Sequence, residues 1–146
     1  MKNTNIEKIE NTENKDNIVN SQLEHAPEEK KITALDMANL MGNGTNLGNT
    51  MEAYGRISLG VDAEVSAYET FWQQPVTTKE MLISMKDAGF DSIRIPVAWT
   101  NTMNYESGDY TIRKEYLDRV EEIVNYARDA DMYVVINEHW DGSWWG

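Results

Sequence analysis

The sequence predicts an α/β fold built on a parallel sheet. Two observations predict it. Strand-like runs recur along the chain, at residues 44–50 (GTNLGNT), 92–99 (SIRIPVAW) and 132–139 (MYVVINEH), and segments with apolar residues at helical spacing separate them. The last run is also nearly continuous in apolar character, as in strands buried on both faces of a parallel sheet. Strands joined through helices form βαβ units, whose strands run parallel. A doubly wound sheet and a (β/α)8 barrel both satisfy this pattern. The phosphate fingerprints of the first are missing: there is no G-x-G-x-x-G and no G-x-x-x-x-G-K-[ST], and Gly42 and Gly44 lead into Asn-rich sequence, not a helix.

Each element has a local reason. Apolar residues at 32, 35, 37, 40 and 41 predict a short helix ended by Gly42. Residues 44–50 then read as a strand running into a loop. Residues 51–76, with Gly55, Gly60 and Pro75, read as a long connection, and connections of that length are usually functional. Thr77 and Glu80 have capping-box spacing, Met81, Leu82, Met85 and Ala88 follow at helical spacing, and Gly89 stands where a helix C′ residue belongs. SIRIPVAW is β-branched and bounded by turn residues, hence a strand. After a polar connection at 101–111, Tyr116, Leu117, Val120, Ile123, Val124 and Ala127 predict the longest helix, and MYVVINEH the third strand.

Composition narrows the function. The chain has 146 residues, 13 Lys+Arg against 25 Asp+Glu, a formal net charge of -12 and no Cys. Such acidity repels phosphate backbones, so no nucleic-acid partner is expected. No disulfide framework or Cys zinc site can form. No stretch reaches the roughly 18 apolar residues of a membrane span, so no membrane partner is expected either. Residues 1–31 are rich in Asn, Glu and Lys and are expected to be a disordered polar tail, because such sequence cannot bury enough apolar surface to offset its ordering entropy. That tail carries five Lys and seven acidic residues, so the acidity belongs to 32–146. It holds no 7–15-residue apolar block of a secretory signal. Five Trp are many for this length, and Trp faces suit flat apolar partners such as sugar rings.

In parallel α/β folds, sites form at the carboxyl ends of the strands. Those ends carry Asn46 and Asn49, then Arg94 and Trp99, then His139, Trp140 and Asp141. Alternation puts Ile93 and Ile95 on one face of their strand and Arg94 on the other. A cation on an inner wall is costly without a carboxylate, so Arg94 predicts an acidic partner. The same parity groups Val135, Asn137 and His139, and turns Glu138 the other way, toward the helices. His139 and Asp141 do not make a metal site: His25 is the only other His, and two ligands are too few for zinc.

Four pieces, GTNLGNTMEAYG, ETFWQQPVTTKEMLISMKDAGFDSIRIPVAW, DYTIRKEYLDRVEEIVNYARDADMYVVIN and HWDGSWW, occur in that order, and together they resemble the N-terminal part of glycoside hydrolase family 5, in particular its bacterial endoglucanases. The resemblance runs from about Ala34 to Gly146. It implies a (β/α)8 TIM barrel and hydrolysis of β-1,4-linked glucans with retention by two glutamates, an acid/base at the end of strand four and a nucleophile at the end of strand seven. In such enzymes the two carboxyl groups stand about 5 Å apart. Arg94 matches the family arginine that hydrogen-bonds the nucleophile. His139 matches the histidine that shapes the cleavage subsite, and Asn46 and Asn49 match the first-strand motif. Trp72, Trp99, Trp140, Trp144 and Trp145 are candidates for sugar stacking. Thr45 departs from the family, which often has an aromatic residue there.

A barrel needs about 250 residues, roughly 31 per βα unit. Residues 32–146 are therefore expected to hold only the first three units, without either catalytic glutamate and without hydrolase activity alone. Asn137-Glu138 looks like the acid/base pair of the clan but lies one strand early, so Glu138 is not expected to be catalytic. Substrates such as mannan or xyloglucan fit the same resemblance, as does a non-catalytic carbohydrate-binding protein. A barrel enzyme acting on phosphorylated metabolites is disfavoured by the Trp-rich strand ends. No cofactor is implied. The resemblance also implies an extracellular enzyme, monomeric at full length, although this sequence shows no signal peptide.

Overall fold

A computed structural model describes residues 31–141. The expected tail, save Lys31, and the stacking candidates Trp144 and Trp145 lie outside the described residues. From Ala34 the chain forms one compact unit. Its order is α1 (Ala34–Leu40), β1 (Gly44–Asn46), α2 (Arg56–Leu59), α3 (Val65–Glu69), α4 (Lys79–Asp87), β2 (Ser92–Val97), a 3-10 turn (Trp99–Asn101), α5 (Lys114–Asp129) and β3 (Tyr133–Glu138).

The three strands form one parallel sheet in the order β1-β2-β3. Register aligns Asn46 with Arg94 and Arg94 with Val135. Residues level with one another on parallel neighbours share a face, so these three stand on one side of the sheet. The other side carries Ile93, Ile95 and Val97, all buried, and the helices close over it. Leu82 of α4 and Tyr116, Val120, Ile123 and Ala127 of α5 complete that core with Leu47, Met51 and Tyr68. Burying each large apolar side chain contributes about 1.5–3 kcal/mol, and this one-sided layer is what orients the strands.

Local differences from the sequence reading have physical causes. The cap of α4 is Thr78, not Thr77: the Thr78 hydroxyl accepts from Met81 N–H at 3.4 Å. Thr77 is drawn away because its N–H donates to the Glu69 carboxylate at 2.6 Å and its carbonyl accepts from Arg119 at 2.7 Å. Gly89 does end the helix, at φ 95°, a left-handed conformation that side chains disfavour. Residues 51–76 are not a bare loop but contain α2 and α3. The connection after β2 contains the 3-10 turn and a bridge between Met103 and Ile112. Helix α1 forms, yet buries none of its residues.

One ion pair ties this insertion to the barrel-type helices. Arg119 of α5 reaches Glu69 of α3 with Nε at 3.0 Å and Nη2 at 2.9 Å, and Glu69 is fully buried. Removing one partner of a buried pair strands the other charge. Glu69→Ala is therefore expected to lower the unfolding free energy of the intact protein by about 3–5 kcal/mol, read by urea denaturation.

Candidate active site

Three polar side chains form a row on the open face of the sheet, and Arg94 comes to it from the middle of β2, not from the carboxyl end at which the sequence reading put it. Arg94 of β2 stands between Asn46 of β1 and His139, just past β3. Its Nη1 donates to Asn46 Oδ1 at 3.3 Å, and its Nη2 lies 3.0 Å from His139 Nδ1. A guanidinium has only donors. His139 Nδ1 must therefore accept, which leaves the proton of a neutral imidazole on Nε2. Neither neighbour of Arg94 is a carboxylate, and the side chain is half-buried on the open face of the sheet. The face on which alternation placed Arg94 is the one observed.

The other candidates fall into distinct places. Trp140 is 55% exposed at the strand end, beside His139. Trp99 leans inward and meets the Tyr116 ring edge-on, with centroids 6.5 Å apart. Trp72 lies on the α3–α4 connection, next to exposed Phe71. Asn49 takes a positive φ of 62°, and its N–H donates to Glu52 at 2.5 Å. Register puts Glu138 level with Val97 and so on the helix-facing side of β3. Among the described residues, no group of three His, Cys, Asp or Glu side chains could hold a metal, and no helix is long and apolar enough to cross a membrane.

Beneath this row, buried hydrogen bonds join the three strand-end loops. Asn101 is the hub: its Oδ1 accepts from Gly55 N–H at 2.9 Å, and its Nδ2 donates to Ala53 carbonyl at 3.1 Å. Arg56 is also buried and donates to the carbonyls of Thr100 and Met103 at 2.9 and 2.8 Å, with its guanidinium over the Tyr105 ring. The Tyr116 hydroxyl donates to Met51 carbonyl at 2.7 Å, and burial pushes its pKa well up, so it stays a neutral donor. Asp141 binds Thr100. The sequence reading put Asp141 at a strand end without a role and missed the others as parts of the site. The bonds join positions 15 to 65 residues apart, and no local pattern marks such partners.

A row of Asn, Arg and His across successive strands of a parallel sheet is the arrangement to compare with known proteins. The model of the cellulase family, glycosyl hydrolase family 5, matches residues 56–146. The chain belongs to glycosyl hydrolase family 5. Membership implies a (β/α)8 barrel, to which the parallel sheet and its outer helices conform. Among family 5 relatives, a xyloglucan-specific endo-beta-1,4-glucanase of Bacteroides ovatus is 39% identical over 115 residues, 79% of this chain and 22% of that protein. Endoglucanase A of Ruminococcus albus is 39% identical over 129 residues, 88% of this chain and 33% of that protein. Among solved family 5 structures, a broad specificity endoglucanase from Ruminococcus champanellensis with bound cellotriose superposes with a TM-score of 0.73 at 34% identity, covering 80% of this chain and 33% of the other. The chain thus spans about a fifth to a third of the length of these curated relatives.

Proposed function

We propose that this chain supplies the first three βα units of an endo-β-1,4-glucanase barrel that cleaves its polysaccharide with retention. The observation that carries the reading is the hydrogen-bonded row Asn46, Arg94 and His139 across three adjacent strands. Arg94 offers donors to an anion above the sheet but meets only neutral acceptors. A glutamate nucleophile brought by strand seven fits there, hydrogen-bonded and held ionised by the guanidinium. The acid/base glutamate comes from strand four. His139 presents Nε2–H to the sugar in the cleavage subsite, and Asn46 braces Arg94 from the other side. Trp140 offers its exposed ring to the glucan, and sugar stacking at Trp144 and Trp145 is part of the same reading from the sequence. Both glutamates belong to sequence outside this chain, so residues 1–146 alone are inactive. The enzyme acts outside the cell as a monomer, since polymeric glucan must be attacked where it lies.

The retaining cycle divides the work. The nucleophile attacks the anomeric carbon while the acid protonates the leaving oxygen, and water, deprotonated by the same residue, then releases the glycosyl group. Residues of this chain move no proton in that cycle. They fix the nucleophile's charge and the sugar's place, which is electrostatic preorganisation.

The substrate named by the Bacteroides ovatus relative makes branched glucan the second reading. Assay of the complete enzyme on carboxymethylcellulose, xyloglucan and mannan tests both. Hydrolysis of carboxymethylcellulose with retained anomeric configuration is the expected result. Turnover confined to xyloglucan or mannan would move the assignment within the family, and binding without turnover on all three would overturn it.

A further inference from the structure

Asp141 lies two residues beyond His139 and is 1% exposed. A carboxylate buried this deeply is costly unless its oxygens are hydrogen-bonded. Its Oδ1 accepts from the Thr100 N–H at 2.8 Å and from the Thr100 hydroxyl at 2.6 Å. Thr100 is itself fully buried, and its carbonyl is held by Arg56 at 2.9 Å. On the other side of the segment, the His139 N–H donates to the Val97 carbonyl at 3.1 Å. Residues 139–141 are therefore pinned at both ends to the chain that leaves β2. Of the three residues, His139 and Trp140 are exposed and Asp141 is buried.

We propose that Asp141 is a positioning residue for hydrolysis: through Thr100 it fixes the loop after β3 so that the His139 imidazole stays in register with Arg94 while the sugar chain is bound. This rests on the hydrolase reading above. Asp141 has no ion pair among the described residues, and what it gives Thr100 is an acceptor held in place. An Asn side chain preserves that geometry, because both bonds end on Oδ1 and an amide oxygen there accepts from the Thr100 N–H and hydroxyl alike.

The test is a set of steady-state measurements on carboxymethylcellulose with the complete enzyme. Asp141→Ala is expected to lower kcat about 10–100-fold with KM within about twofold, the scale of a small misplacement near the chemistry. Asp141→Asn is expected to restore kcat to within about threefold of wild type. In a His139→Ala background, Asp141→Ala is expected to cost less than about threefold more, because coupled residues are not additive. Should Asp141→Ala not fold, Thr100→Val keeps the shape and removes the 2.6 Å bond, with an expected loss of about 3–10-fold that again disappears beside His139→Ala. Equal losses with and without His139, an Asn variant as poor as the Ala variant, or unchanged kcat in both Asp141→Ala and Thr100→Val would overturn the proposal. A wild-type enzyme inactive on every β-1,4-glucan would instead sink the hydrolase reading on which it rests.

Discussion

Arg94→Ala in the complete enzyme is expected to lower kcat on carboxymethylcellulose about 10²–10³-fold, with KM changed less than about threefold. The magnitude is that of removing one preorganised donor from a developing or fixed charge in a water-poor site. The guanidinium does not hold the glucan in this reading. It holds the glutamate that attacks, so the loss belongs in kcat. The pH profile separates this role from simple loss of fold. A nearby cation lowers a carboxyl's pKa. Without it the nucleophile protonates at higher pH, so the acidic limb of the variant's profile must move upward. Lys at 94 restores a charge but not the planar fork that reaches Asn46 and His139 together, and only part of the rate should return. An unmoved acidic limb together with near-normal kcat would remove Arg94 from the site and, with it, the functional reading.

The parts of this fold visible in the sequence were those with a short period. The alternation Ile93, Arg94, Ile95 is enough to sort core from site on β2, and the sheet agrees: the two isoleucines are buried and Arg94 stands on the other face. The spacing of Tyr116, Val120, Ile123 and Ala127 likewise marks the buried stripe of α5. The position of His139 just past β3 was also legible from chain order, whereas Arg94 sits in the middle of β2 and not at its carboxyl end. What stayed hidden was the bracing beneath them. Asn101, Arg56 and Asp141 are polar residues in connections, where the default expectation is exposure to water. Each is buried because its partners lie 40 or more residues away. The shift of the α4 cap from Thr77 to Thr78 has the same origin: two adjacent threonines are equal locally, and the distant Glu69 and Arg119 decide between them.

The surfaces left by this unit set the second large effect. Strand β3 pairs only with β2 among the described residues, and its Tyr133, Val135 and Ile136 are each more than a third exposed. An apolar strand with an unpaired edge is a template for association. Helix α1 exposes Leu35, Met37 and Leu40, and among the described residues no helix is laid into a shallow apolar groove along α4 lined by Met81, Met85, Ala88 and Phe90. In a closed barrel all three surfaces have natural cover: a fourth strand beside β3, the last helix beside α4, and the barrel floor beneath α1. Without that cover, the apolar area that should oppose chain entropy is still in water. The chain of residues 32–146 prepared alone is therefore expected to lack a cooperative thermal transition, to bind an apolar dye such as ANS, and to aggregate at micromolar concentration, while keeping much of its helical circular dichroism. Within a complete barrel, the same residues should melt in one sharp step. A monomer of 32–146 with a sharp cooperative melt and no dye binding would show that the one-sided core suffices, and the assignment of these strands to an incomplete barrel wall would have to be given up.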